Sequence, residues 1–501
     1  MKRWLVLASV VTAVTAWFSW GIFHNDEYFQ VLELARAKLA PGEVTLGIWE
    51  VRARMRPWLQ PGLYTLVGAA PAALGLRSIW HLATVFRFVT AAANLAALGL
   101  FLRTVLGWLE PEARRLQLRS LALFSFLPYL FVRTSSESGS MAAFTAAFAL
   151  LFEPGSSVPT VARGRGRRLL VGLLLGTAFE IRFQTAFITL GILAWVAIVA
   201  REARRLGPVA LGGAITFAAG RVADRWGYGE LAFTPWNYFR VNLLEGAAKT
   251  YGTDPPFAYL WTLPANVFFP VVVALLALAV LSWIRAPRHP LTWATLPFFL
   301  VHNLMAHKEE RFLFPLAIFA IGFVPLALAP AQGTTRVAAV ERIAAWGWSL
   351  RDRWPPAALA VLGVIPAAVV TFFPLGWHVD VRFTRALHDR FGEEVHAVAL
   401  PGISVAWPPF HPRVYDVANA RPDEIVAALD AGSGPRWLNA DEPVLRTGTA
   451  LDGRATLVYS ELPGHRDPEM LARLCRLVDG YNAFAKPPLR RLHYRSLYEL
   501  R

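Results

Sequence analysis

Long apolar runs return along most of this chain with basic clusters between them, more than a water-soluble fold can bury. Mean hydropathy is +0.40, and 55% of the 501 residues are hydrophobic against 17% charged. A soluble chain of this length would divide into domains with charged surfaces. The pattern instead predicts an all-α polytopic membrane protein, because lipid offers no partner to a backbone N–H or C=O. It excludes a soluble enzyme hung on a single anchor. The first run, Trp4 to Phe23, follows Lys2 and Arg3. No small-x-small cleavage site follows it, so it reads as an uncleaved span with the N-terminus in the cytoplasm. Further spans are expected near 78–102, 120–132, 138–152, 169–180, 184–200, 208–222, 262–284, 291–306, 311–329 and 355–375, about eleven in all. The Pro- and Gly-rich stretch Pro61–Leu76 is expected to be re-entrant or interfacial.

With that parity the basic clusters share one side: Arg114, Arg115 and Arg119; Arg163 to Arg168; Arg201 to Arg205; Arg285 and Arg288; and Arg336 to Arg353. They mark the cytoplasmic loops, so the net charge of +15 faces anionic lipid and not nucleic acid. The lone cysteine, Cys475, excludes a disulfide within the chain and a Cys-based metal site. Beyond residue 376 the hydropathy drops and the charges mix. Short apolar runs (Ala397–Leu400, Ala455–Tyr459) alternate there with helix-like stretches such as Asp423–Leu429. A transmembrane domain over 1–376 and a small soluble α/β domain over 377–501, outside the cytoplasm, are expected.

The outer loops carry the unusual residues. Asp26 and Glu27 directly follow the first span. Asp26 can cap a helix Glu27–Leu39, both acids complementing its dipole. It can also serve as a general base at the bilayer surface, where partial desolvation raises a carboxylate pKa. The two readings are compatible. Arg133 and Glu137 stand four residues apart with hydroxyls between them, as a structural ion pair or a functional one. Arg182 lies between apolar runs, where a charge is costly unless paired or functional. His307, Lys308, Glu309, Glu310 and Arg311 follow one another between two spans. They form either a solvated turn with snorkelling ends or an anion site in which His307, Lys308 and Arg311 cradle a phosphate at headgroup depth. The aromatics of 233–261, Trp236 and Tyr251 among them, are an interfacial belt or sugar-stacking platforms.

In this order the segments resemble one family, the membrane mannosyltransferases that use dolichyl-phosphate-mannose (glycosyltransferase family 22). That family builds the glycosylphosphatidylinositol anchor and extends the N-glycan precursor. His307-Lys308-Glu309-Glu310-Arg311-Phe312, followed by Pro315, is similar to its HKExRF signature. Asp26 to Gln30 resembles the acidic–aromatic–Gln block of its first lumenal loop, and Trp49-Glu50 with the following Arg run and Pro61 resembles the continuation. Arg133 to Glu137, Thr234 to Tyr238 and Tyr251-Gly252-Thr253 resemble three further blocks, so the set runs from residue 24 to 315. The chain departs at Asn25, at Asp254-Pro255-Pro256 and after Arg182, where the family carries Pro, HPW and Pro. Within the family the blocks loosely resemble those of the third-mannose enzyme of the anchor pathway. The Arg- and Ala-rich composition resembles a high-GC bacterium, which implies undecaprenyl phosphate in place of dolichol.

The resemblance implies a GT-C glycosyltransferase fold. It implies inverting transfer of a hexose, mannose, from a polyprenyl-phosphate-sugar donor to a glycolipid or glycan acceptor on the non-cytoplasmic face. Asp26 is the implied base, with Glu27 orienting it or binding acceptor. His307, Lys308 and Arg311 are implied to hold the departing phosphate, supported by Arg133 and Arg182. Glu50, Glu137, Trp236, Asn237 and Tyr251 are implied substrate contacts. Neither a metal nor a cofactor is implied, and the partners are the lipid-linked donor, the acceptor and membrane lipid. A polytopic transporter or flippase of lipid-linked substrate is the competing class. It would need ionisable residues in mid-span, for which Glu180 is the main candidate. A transferase acting on protein or lipid A acceptors would fit the same residues.

Overall fold

The computed structural model describes residues 1–19, 23–41, 48–266, 269–330, 332–364 apart from 334, 336, 354 and 363, and then 397–399, 421–432, 437–440, 454–460 and 496–500. Within these the apolar runs fold into helix, which pairs the backbone with itself. The main helices are α1 (Lys2–Phe18), α2 (Leu59–Ala73), α3 (Ile79–Gly107), α4 (Ser136–Leu151), α5 (Arg165–Ile181), α6 (Gly207–Tyr228), α7 (Phe269–Arg285), α8 (Pro290–Leu304) and α9 (Ala320–Leu328). Among the described residues, α3 and the stretch Ala203–Tyr228 are long and apolar enough to cross a bilayer. The 3-10 turn Glu310–Leu316 and α9 make a third if their 69° bend belongs to one broken span. The other expected spans fall on shorter or broken helices, and the Pro61–Leu76 stretch forms most of α2. Of the expected span 355–375, residues 363 and 365–375 lie outside the described residues, as does most of 377–501. Four strands are described in the latter, Ala397–Ala399, Trp437–Ala440, Ala455–Ser460 and Ser496–Leu500, the second pairing parallel with the first and antiparallel with the fourth, which also pairs antiparallel with the third.

The surface inverts that of a soluble protein. Leu66, Leu74, Ile198 and Val222 stand exposed while Asn94, Ser138, Ser140 and Thr145 are buried. Apolar side chains outside and polar ones inside suit an integral membrane protein. At the centre, the rings of Phe101, Phe144, Phe148 and Phe319 interlock with centroids 4.9–6.0 Å apart. α5 and α6 cross unusually closely: a Cβ on Gly172 would lie 2.0 Å from the Val209 carbonyl oxygen, and one on Gly212 2.3 Å from that of Leu169. Small residues permit this approach, which replaces the hydrophobic drive that lipid removes.

Two local devices position the outer rim. Asn94 of α3 donates its amide to the Ser138 carbonyl (3.2 Å), and Ser138 Oγ donates to the Leu130 carbonyl (2.6 Å). Together they pin the turn at the start of α4, where Ser135 Oγ accepts the Ser138 N–H. Glu309 is extended, and Asp254 N–H donates to the Ala306 carbonyl at 2.8 Å, so the charged run lies as a strap against the 252–254 loop.

Candidate active site

Three segments far apart in sequence meet around Arg311, which is buried. Its Nη2 donates to Asp26 Oδ2 at 2.6 Å, although 285 positions separate the two residues. Its Nη1 donates to Glu137 Oε1 at 3.3 Å, and its Nε to Glu309 Oε2. Arg182 Nη1 donates to the same Glu137 oxygen at 2.8 Å and to Ser136 Oγ at 3.1 Å. His24 lies 3.6 Å from Asp26 Oδ1 and 3.5 Å from Glu309 Oε2, and His307 Nε2 pairs with Glu309 Oε1 at 2.9 Å. Three carboxylates therefore surround two guanidinium groups. Charge-assisted bonds of this kind are roughly twice as strong as neutral ones.

Burial pushes the Asp26 carboxyl up, but the Arg311 guanidinium and His24 outweigh it and hold the group well below the usual carboxylate range. Burial likewise opposes Glu309, which its bonds to His307 and Arg311 keep low. The hydrogen bond that His307 donates to the Glu309 carboxylate raises the histidine above its ordinary value. Asp26 is thus ionised but masked: a carboxylate so tied to Arg311 is a weak base until that partner is drawn away.

The geometry redirects several expected residues. The helix after the first span begins at Asn25, and the Asp26 N–H donates to His24 Nδ1 at 3.2 Å. Histidine fills the capping place, and the Asp26 carboxylate is left for Arg311. Glu27 turns inward, is buried, and accepts from both the Thr134 N–H (2.8 Å) and Oγ1 (2.9 Å). It anchors the 133–137 turn and does not orient Asp26. Arg133 also leaves the cluster: it donates to the Ser19 carbonyl (3.0 Å) and Oγ (2.6 Å) and stacks on Tyr129. Lys308 Nζ is engaged by the carbonyls of Met305 (2.5 Å) and Asp254 (3.2 Å). Glu50 is clamped by Arg56 and by Gln30 Nε2 (3.0 Å). Asn237 donates to the Arg54 carbonyl (3.0 Å), and Trp236 is exposed beside Phe239. Tyr251 accepts from Trp49 Nε1 (3.1 Å), with its ring 5.9 Å from His307. So Asp26, Glu137, Arg182, His307 and Arg311 converge, Tyr251 lines their edge, and the others hold the frame.

Sequence reasoning passed over His24, Glu309 and Arg56 as site members. All three lie inside the quoted motifs, so their charge was the available signal; Arg56 acts on Asp26 across space. Beside the cluster lies an apolar cavity of about 310 Å³, lined by Phe23, Tyr129, Leu263, Leu276, Glu310 and Phe314 among others. Glu310 and Phe23 put its wall next to Arg311 and His24 in sequence, and the Phe23 and Phe314 rings pack 4.9 Å apart there.

A family model described as the Alg9-like mannosyltransferase family matches residues 4–373. Among curated proteins, the GPI alpha-1,2-mannosyltransferase 3 of Mus musculus is 28% identical over 322 residues, covering 61% of this chain and 55% of that protein. The GPI mannosyltransferase 3 of Yarrowia lipolytica is 27% identical over 316 residues, covering 62% and 59%. The matches therefore span less than two thirds of those relatives' lengths. Among solved structures, ArnT from Cupriavidus metallidurans bound to undecaprenyl phosphate is 13% identical with a TM-score of 0.49, covering 99% of this chain and 97% of that one.

Proposed function

The chain belongs to the Alg9-like mannosyltransferase family, and from that premise we propose that it transfers a hexose, mannose, from a polyprenyl-phosphate donor to a glycolipid or glycan acceptor with inversion. The observation that carries this reading is the Arg311–Asp26 pair, a cation and a base joined at 2.6 Å beside an apolar cavity. In the reaction the donor phosphate takes the Arg311 fork and the polyprenyl chain lies along the cavity. Asp26, released from its partner, gains basicity and accepts the proton of the acceptor hydroxyl. The acceptor oxygen bonds to the anomeric carbon from the face opposite the phosphate as the C–O bond to phosphate breaks. The polyprenyl phosphate departs with that electron pair, held by Arg311 with His307 near. One base suffices, since a phosphate leaving group needs little protonation. The helices adopt the GT-C arrangement and the site opens on the non-cytoplasmic face, opposite the basic clusters.

Glu180, the residue that most favoured a transporter, is bound to Arg221 at 2.5 Å between two packed helices, which supports the enzyme reading. The test is transfer of radiolabelled sugar from polyprenyl-phosphate donors in membranes with and without this protein. Labelled product that depends on the protein is expected, and its chemical class separates glycolipid from protein or lipid A acceptors. Label moved across the membrane without a new glycosidic bond would overturn the proposal.

A further inference from the structure

Two buried side chains below the rim keep polar atoms unsatisfied. Arg182 is 7% exposed and engages only its Nη1; its Nε and Nη2 have no hydrogen-bond partner among the described residues. His302, near the end of α8, is 1% exposed. Its Nδ1 lies 2.8 Å from the Phe298 carbonyl, and its Nε2 has no partner among the described residues. Both flank the same ring: the Arg182 guanidinium lies 5.2 Å from the Phe312 centroid and the His302 ring 6.4 Å from it. A buried, unpaired donor or acceptor costs about 1–3 kcal/mol, which a ligand group or an ordered water at the site would recover.

The chemistry of the pair is specific. A carbonyl only accepts, so His302 Nδ1 carries the hydrogen, and in the neutral ring Nε2 is a bare lone pair. Arg182 supplies donors and His302 an acceptor. A hydroxyl satisfies both at once, its oxygen accepting from Arg182 and its hydrogen going to Nε2. A phosphate oxygen would face the lone pair with one of its own. Arg182 also shares Glu137 Oε1 with Arg311, so Arg182 lies one carboxylate away from the assigned phosphate position, with His302 across the Phe312 ring, and the transferred sugar is attached to that phosphate.

We propose that Arg182 and His302 form a hydroxyl subsite that reads one hydroxyl of the donor sugar, making His302 a specificity-determining residue. This rests on the donor assignment made under Proposed function. The test uses the purified full chain and measures dissociation constants by ligand-induced thermal stabilisation. The probes are polyprenyl phosphate, polyprenyl-phosphate-mannose and its 2-, 3-, 4- and 6-deoxy analogues. In the wild type, one deoxy analogue should bind about 10–100-fold more weakly than the full donor. In His302→Phe the full donor should weaken to match, with no further loss for that analogue. His302→Gln, whose amide oxygen still accepts, should recover part of the discrimination, and it carries the comparison if His302→Phe does not fold. Equal binding of all analogues, or a deoxy penalty unchanged in both variants, would mean a buried water site and overturn the subsite alone. Failure of both polyprenyl phosphate and its mannose ester to bind would overturn the donor assignment and the subsite with it.

Discussion

At the rim, Arg311 serves three carboxylates drawn from three segments; between α5 and α6, Arg221 serves two that chain partners have already enclosed. Arg221 binds Glu180 Oε2 at 2.5 Å and Asp224 Oδ2 at 3.0 Å. Asp224 also accepts from the Trp58 N–H (2.9 Å) and Thr234 Oγ1 (2.6 Å), and both acids are fully buried. At the rim the side chains of Asp26 and Glu309 remain 27% and 22% exposed. The difference is one of access, not of charge. Where backbone and hydroxyl groups complete the coordination of a carboxylate, an ion pair clamps helices together. Where carboxylates crowd one guanidinium near the surface, an incoming anion can exchange for one of them. On the proposed function the enclosed cluster is structural and the rim cluster reactive, and substitutions in each should separate in their readouts.

The largest effect is expected in the enclosed cluster. Asp224→Ala takes the acceptor from the Trp58 N–H and the Thr234 hydroxyl and leaves Arg221 with Glu180 alone, which should cost about 3–5 kcal/mol. Thermal unfolding in detergent should show this loss, while the protein that stays folded keeps its turnover. A normal melting temperature with lost turnover would break the comparison. Next comes Asp26→Asn, which should lower sugar transfer about 10²-fold or more, with expression kept and only the modest drop in melting temperature that weakening the Arg311 pair brings. Retained transfer would remove Asp26 from the base role, and a collapse in yield would return the rim to a structural one. Third, Glu27→Ala should cost about 1–3 kcal/mol of stability by leaving the Thr134 N–H and hydroxyl unpaired. The pH dependence of turnover should keep its shape, whereas a shifted profile would restore Glu27 to the chemistry.

That third case shows where the sequence runs out. Neighbours such as Asp26 and Glu27 look alike in a one-dimensional reading, yet the helix that starts at Asn25 sends one to Arg311 and the other to Thr134. Apolar periodicity located the helices, and the cost of a charge at a membrane boundary picked out Asp26, Arg182 and Arg311. Neither signal carries direction, so Arg133 was expected at the phosphate and instead holds Ser19. Glu180 looked like a transport residue because its partner, Arg221, is supplied by another helix 41 positions away. His302 gave no signal, since a lone histidine in an apolar run reads as core, and its unpaired Nε2 shows only in three dimensions.

The smallest expected effect concerns pH, and it separates the two clusters once more. His307 is raised by its bond to Glu309, so its contribution to stability is complete below its unfolded value near ~6.5 and is lost as pH rises through the folded value. Asp26 and Glu309 are held low, so theirs is present above the unfolded values near ~4 and lost only as pH falls further. Between those limits the rim is fully paired. Above them the His307–Glu309 bond weakens, by about 1 kcal/mol or less for a partly exposed pair. Melting temperatures of the wild type from pH 6 to 9 should therefore decline more steeply than those of His307→Gln, which has no proton to lose there. The bonds of the Arg221 cluster involve no histidine, so whatever folded Asp224→Ala is recovered should keep the wild-type slope. Equal slopes for wild type and His307→Gln would show that the strap is held by its backbone bond to the 252–254 loop, and the adaptable rim would then reduce to Arg311 and the carboxylates it gathers.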